Sequence, residues 1–459
     1  MTFLFIIIAV LVAVFFVQIG KARELASAIR EDNSEEYENN NFQAAFGMVF
    51  MVGFLVICVV SFIYYIPYIL GWGPNTAASK HGPSVDYMFN ITLFFTAIVF
   101  FACQFLLFYF GWKFRGRKGV RAKYWSHDER LEMVWMLIPA IVMTFLVVGG
   151  LRAWNTAMAD VTDKEIIGKD YIEIEATGQQ FNWTIRYPGR DNKLGTKHFT
   201  KITGTNPLGQ DWTDEKNIDD FQPSTEIVLP VGKKVRVRIN SKDVLHNFYL
   251  PQFRVKMDAV PGMPTYFVFT PTVTSDSMRA RYKKYDHWNI PDKKDETKKR
   301  YEAFEYELAC AELCGRGHYS MKRIIKIVTE EEYENWIDEQ EKNSHYLANV
   351  YKDDKSPIKA KADEFVKLLE NKEKVKAALK QVSDLASKAT ASEAEKINIA
   401  ITEIKAALKI TRKTLNLQDS DNATAKALSL SASILPKENT EDKDKAPQDS
   451  VKAEPKKAI

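Results

Sequence analysis

Cysteine is scarce in this chain: there are four in 459 residues, and Cys58 and Cys103 sit inside apolar runs, so no disulfide framework organises the fold. Cys-x-x-Cys-His is absent, which excludes a covalently attached c-type haem. A surplus of one charge is also missing. The 63 Lys and Arg against 59 Asp and Glu leave +4, a sum over unlike regions that selects no partner, and no nucleic-acid partner is expected. Long apolar runs are lacking after residue 151, and the last quarter is almost wholly polar. The length allows two or three domains.

The first third, by contrast, is dominated by such runs. Residues 3 to 19 are short but nearly unbroken, and 46 to 70, 88 to 112 and 133 to 151 are each long enough to cross a bilayer. The first run lacks a preceding basic residue and a small-residue cleavage site, so it reads as a retained helix rather than a signal peptide. The loop holding Lys113, Arg115, Arg117, Lys118, Arg121 and Lys123 is expected to be cytoplasmic by the positive-inside rule. Residues 21 to 45, with Lys21, Arg23 and Arg30, then face the same side, and everything after residue 151 lies outside.

Beyond the membrane the period changes to alternation. Tyr171 to Thr177, Val235 to Ile239, Tyr266 to Thr270 and Ile324 to Val328 read as strands, separated by Pro and Gly clusters. A Greek-key β-sandwich follows, because two closed layers let loops at strand ends converge on a site.

The chemistry is concentrated between Tyr306 and Met321, where Cys310, Cys314, His318 and Met321 fall within twelve residues. Two thiols, an imidazole and a thioether form a soft ligand set that favours copper and electron transfer. His246, at the end of a strand-like run, is the candidate for a second imidazole. Structural zinc has no use for the methionine. A Cys310–Cys314 disulfide leaves His318 and Met321 unexplained.

This motif resembles that of subunit II of the haem-copper cytochrome c oxidases, Cys-x-Glu-x-Cys-x-x-x-His-x-x-Met with an upstream His, at every position. The resemblance implies a cupredoxin-like domain carrying the binuclear copper centre CuA, bridged by Cys310 and Cys314. His246 and Met321 would complete one copper, His318 and the carbonyl of Glu312 the other. The Glu312 side chain would reach a magnesium or manganese ion shared with subunit I, where haems and a further copper reduce oxygen. Subunit III and a c-type cytochrome donor are the other partners implied, in a proton-pumping enzyme of a bacterial inner membrane with the copper domain periplasmic. A structural subunit II of a quinol oxidase, without copper, is the alternative. Nitrous oxide reductase also bears such a motif, but four apolar segments and no room for its large catalytic domain argue against it.

The resemblance gives Glu132, in Glu-Met-Val-Trp135-Met-Leu-Ile-Pro139, a place at the entrance of a proton path. Its other reading is a carboxylate favoured by a helix N-terminus. The family's aromatic patch, Gly-His-Gln-Trp-Tyr-Trp, here reads Gly178-Gln-Gln-Phe181-Asn-Trp183. Phe181 replaces the tryptophan through which electrons enter, and Trp183 matches the second; both could instead be packing residues.

The expected organisation is an extra region with two transmembrane helices over 1–87, a transmembrane hairpin over 88–151, an external copper domain over 152–345 and a tail over 346–459. Residues 190 to 222 and the basic stretch 275 to 304 look inserted. That stretch precedes the copper motif and suits an acidic donor, or one held by another complex. Thr329-Glu-Glu-Glu332 signals a capped helix through Trp336, and Phe365 to Ala386 and Ile397 to Leu415 carry helical stripes that suit a hairpin. Composition predicts disorder from about residue 418.

Overall fold

The computed structural model describes residues 2–29, 34–69, 77–117, 119–168, 170–342, 344–352, 356–387 and 391–435. Arg30 and Lys118, both counted in the charge argument, lie outside these residues, as does the tail after Leu435. Four helices open the chain: α1 (Thr2–Ile29), α2 (Ser34–Ile69), α3 (Gly82–Lys113) and α4 (Glu129–Ala157). Among the described residues three spans are long and apolar enough to cross a membrane: Asn40–Tyr65, Gly82–Lys113 and Glu129–Ala157. Their apolar side chains point outward, as a lipid-facing helix requires. Asp128 caps α4, accepting from the N–H groups of Arg130 and Leu131.

After a short α5 (Asp163–Gly168) come β1 (Tyr171–Gln179), β2 (Asn182–Arg186), β3 (Glu226–Pro230), β4 (Lys234–Ser241), β5 (His246–Leu250), β6 (Val255–Ala259) and β7 (Thr265–Phe269). Helix α6 (Ser275–Tyr282) leads to β8 (Tyr306–Cys310) and β9 (Lys322–Val328). The strands form two sheets, β2-β1-β4-β7 and β3-β9-β8-β5-β6, so all four strands read from alternation are present. Their inner faces carry Ile174, Ala176, Val235, Val237, Ile239, Phe248, Leu308 and Ile325, all essentially without solvent contact. On the outer face of the first sheet, Glu173 accepts from Arg236 and Arg238, and Glu175 from Arg186 and Asn240. Charges alternating with apolar residues along β4 thus find partners across the β1 ladder.

The tail is more ordered than composition implies. Thr329 and Glu332 form the expected capping box, and α7 runs Glu330–Glu341, past Trp336. It is followed by α8 (His345–Asn349), α9 (Lys359–Ala386), α10 (Ala391–Lys413) and α11 (Leu417–Ile434). The expected hairpin is a three-helix bundle, and the stretch expected to be disordered from residue 418 begins with a helix capped by Asn416. The bundle sits on the inserted segment. Ile218 packs with Tyr346, Ile358, Phe365 and Leu369, Trp212 lies against His345 and Tyr346, and Ser344 Oγ donates to the Ile218 carbonyl at 2.8 Å.

An ion network completes this junction. Lys372 Nζ, with no exposure, lies 2.7 Å from Glu341 and 3.2 Å from Asp338; Arg190 reaches Glu341 at 3.1 Å and Arg412 reaches Asp338 at 2.7 Å. Burial alone would raise the Asp338 carboxyl, but Lys372, Arg412 and Lys376 outweigh it and hold it below its ordinary value. A carboxyl depressed in the folded state stabilises fully above its unfolded value, about 4, and that contribution is lost as pH falls through the folded value. The bundle is therefore expected to loosen from the sandwich below about pH 4. Fluorescence of Trp212 during an acid titration checks this; an unchanged spectrum down to the acid unfolding of the sandwich would contradict it.

Candidate metal centre

β5 starts at His246 and β8 ends at Cys310, and the two strands pair so that Phe248 faces Cys310. Both residues therefore reach the same end of the second sheet, where the loop from Ala311 to Met321 returns before β9. Cys310 Sγ lies 3.8 Å from His246 Nδ1, 3.9 Å from Cys314 Sγ and 3.2 Å from the Glu312 carbonyl oxygen. Cys314 Sγ lies 3.6 Å from His318 Nδ1 and 3.9 Å from Met321 Sδ. His246, Cys310, Cys314 and Met321 are buried, His318 is half-buried, and the Glu312 side chain is exposed.

These distances fit a metal centre. Metal–sulfur bonds of about 2.3 Å let one ion span sulfurs up to about 4.6 Å apart, so two thiols 3.9 Å apart can share ions. A disulfide needs about 2.05 Å, and both cysteines are free. Burial, with Cys310 beside it, pushes the Cys314 thiol up to about 11. Without metal the Cys314 thiol holds its proton, and a bound metal must displace it.

The His246 ring is fixed from behind. Its Nε2 lies 2.8 Å from Asp243 Oδ1. Burial raises the Asp243 carboxyl, but the Gln180 N–H, His246 and the Val244 N–H outweigh it and keep it low. An ionised Asp243 makes Nε2 the donor and leaves Nδ1 free for a metal. Asp243-Val-Leu-His246 shows this spacing in the sequence. Gln180 joins both halves of the site, donating its backbone N–H to Asp243 at 2.8 Å and its side-chain amide to the Cys314 carbonyl. Asp243→Asn is expected to weaken copper binding about 10- to 100-fold, measured by competition with a chelator.

The two aromatic candidates separate. Trp183 has no exposed surface: its ring stands edge-on to His246 with centroids 5.9 Å apart, and its indole N–H has no partner. It presents no face to an outside donor, which favours the packing alternative for this residue. Phe181 is 37% exposed and packs against the loop from Ala311 to Met321. A Cβ on Gly317 would come within 2.5 Å of the Phe181 ring, and Gly315 has φ of +136°. Gly317→Ala is expected to cost about 1–3 kcal/mol, read from denaturant unfolding of the metal-free protein. An unchanged midpoint would mean that Phe181 moves aside freely.

Glu132 stands in the first turn of α4, remote in sequence and fold from these ligands, and lies 2.6 Å from His127 Nδ1. His127 was not singled out from sequence; no motif marks it.

The family model for the cytochrome c oxidase subunit II periplasmic domain matches residues 172–274, and that for its transmembrane domain matches residues 67–153. The periplasmic match stops before the insertion that precedes Cys310. The alternative cytochrome c oxidase subunit 2 of Bradyrhizobium diazoefficiens is 30% identical over 287 residues, covering 62% of this chain and 90% of that protein. Cytochrome c oxidase subunit 2 of Cereibacter sphaeroides is 23% identical, over 61% of this chain and 84% of that one. The crystal structure of the periplasmic domain of cytochrome oxidase subunit II from Bradyrhizobium japonicum is 27% identical, covers 38% of this chain and 95% of its own, and has a TM-score of 0.24. Sequence kinship across nearly the whole of a relative, joined to membrane helices and a β-sandwich, places this chain in the cytochrome c oxidase subunit II family, as a membrane-anchored member of a haem-copper oxidase complex.

Proposed function

We propose that this subunit carries a CuA centre and relays electrons, one at a time, from a c-type cytochrome to haem in subunit I of a proton-pumping oxidase that reduces oxygen to water. The observation that supports this most is the convergence of two imidazoles, a thioether and one carbonyl around two free, buried thiols. Cys310 and Cys314 would bridge two coppers, with His246 and Met321 on one and His318 and the Glu312 carbonyl on the other. Bound there, the pair supplies a redox centre that exchanges a single electron.

The chain's own residues do the rest. Burial of His246, Cys310, Cys314 and Met321 limits water at the centre, and Asp243 and Gln180 fix the imidazole and the loop, which limits rearrangement when charge changes. Phe181, exposed and packed against Gly315 and Gly317 of the loop, is the candidate point of contact with the donor. The exposed Glu312 carboxylate is free to hold magnesium or manganese at subunit I, with subunit III a further neighbour. Glu132, beside His127 at the start of α4, is the candidate proton-path entrance. This assignment sets the copper domain in the periplasm, outside a bacterial inner membrane.

In the assembled complex, reduced c-type cytochrome should be oxidised with transient reduction of the copper centre before haem reduction, observed by rapid mixing. Quinol oxidation by a complex whose subunit II holds no copper would instead favour the structural-subunit alternative.

A further inference from the structure

The basic insertion lies elsewhere than its sequence position suggests. Residues 275 to 304 come immediately before β8, but β8 runs toward the copper site, so Tyr306 marks the opposite end of the sandwich, about 13 Å from Cys310 at about 3.3 Å per residue. There the insertion is anchored by Tyr282, Trp288 and Phe304, whose ring centroids cluster at 4.1 to 5.9 Å, with Phe304 against Tyr306 and Tyr306 against Phe253.

That end is also the one tied to the membrane helices. Arg254, next to Phe253, holds Asp86 of α3 through Nε and Nη2 at 2.7 and 3.0 Å. Ser79 Oγ donates to the Phe253 carbonyl at 2.6 Å, and Ser79 bridges Pro271. Asp86 stands about 3 Å along the helix axis from the apolar stretch that begins at Met88. The residues bonded to it therefore lie at the level of the lipid headgroups, which add roughly 5–8 Å to each side of the hydrocarbon.

The insertion carries nine Lys and Arg against six Asp and Glu. Its carboxylates are largely committed to its own turns: Asp292 accepts from Lys294 and Asp295 N–H groups, Asp295 from Thr297, and Glu302 from Lys299 N–H and Tyr301. Lys284, Lys293, Lys294 and Lys299 are exposed and, among the described residues, make no ion pair. Exposed cations held at headgroup depth meet phosphates, each contributing roughly fivefold to membrane partition where the lipid is anionic.

We propose that residues 283–300 form a membrane-surface contact that binds anionic phospholipid headgroups and fixes the height and tilt of the sandwich over the bilayer. An acidic protein donor on this band would sit a strand's length from the thiols, which favours lipid as the occupant. The inference rests on the membrane anchoring and not on copper, so metal-free protein suffices to test it. The full chain would be placed in nanodiscs of phosphatidylcholine alone or with 30% phosphatidylglycerol, and its lysines labelled with a water-soluble acetylating reagent. We expect Lys284, Lys293, Lys294 and Lys299 to react at least threefold more slowly in the anionic discs, the protection vanishing at high salt while Lys409 and Lys413 are unaffected. Equal reactivity in both discs would overturn the proposal. So would equal protection by inorganic phosphate over phosphatidylcholine, which would indicate a free-anion site, or protection appearing only with an added acidic cytochrome.

Discussion

Replacing Cys310 with serine is expected to empty the centre while leaving the fold in place. Cys310 closes β8, its N–H bonded to the Met321 carbonyl, and neither that bond nor the pairing with Phe248 involves sulfur. Serine is slightly smaller and keeps the backbone, so the metal-free variant should unfold at nearly the parent denaturant concentration. The thiol, however, approaches His246, Cys314 and the Glu312 carbonyl together. A hydroxyl is a harder donor that does not give up its proton, so the shared position between two ions is lost. Copper content should fall from two per chain to one or none, and cytochrome oxidation by the assembled complex by more than about 100-fold, beyond what loss of an outer hydrogen bond causes. Two coppers in Cys310→Ser would mean that the thiol is not a bridge.

The second large effect is expected far from copper, at Lys372. Its ammonium lies between Asp338 and Glu341 with no solvent contact, and removing it leaves two buried carboxylates short of a partner. Breaking such a pair costs about 3–5 kcal/mol. Arg190, Arg412 and Lys376 remain nearby, so the lower end applies to Lys372→Met. About 3 kcal/mol corresponds to amide exchange in α9 roughly 100-fold faster, if the bundle opens as a unit. Copper stoichiometry should be unchanged, because the network touches no ligand. Exchange at the parent rate would show that the apolar contacts of Ile218, Tyr346 and Phe365 hold the tail unaided.

These two sites differ in how readable they were. The candidate ligands are legible because four of them fall within twelve residues, where spacing is set by the chain itself; the fifth, His246, was expected to end a strand and instead opens β5. Lys372 gives no such sign. Its partners come from α7, and the network around them draws on residues 190 and 412, distances that only folding closes. The role of residues 190 to 222 as the platform for the tail was hidden for the same reason.

Helix α11 was misread because its buried face is made of Ser420, Ala423, Thr424, Ala427 and Ser431. The helical period is present, but written in small side chains that let helices approach closely, and a search for bulky apolar residues passes over it. Asn371 completes that contact by donating to Asp421 at 2.7 Å. The burial of Trp183 could not be read from its motif, because matching a motif assigns a residue type and not a direction. One step along β2 separates the exposed face from the core. The basic insertion shows the same limit: adjacency to Cys310 in sequence became the far end of a strand in space.

The most direct test of the account is to load the full chain with copper and measure metal stoichiometry together with the electron paramagnetic resonance spectrum. Two coppers per chain, with hyperfine structure from one unpaired electron shared over both, is the predicted result. A single copper, zinc, or no metal in folded protein with Cys310 and Cys314 oxidised would contradict it.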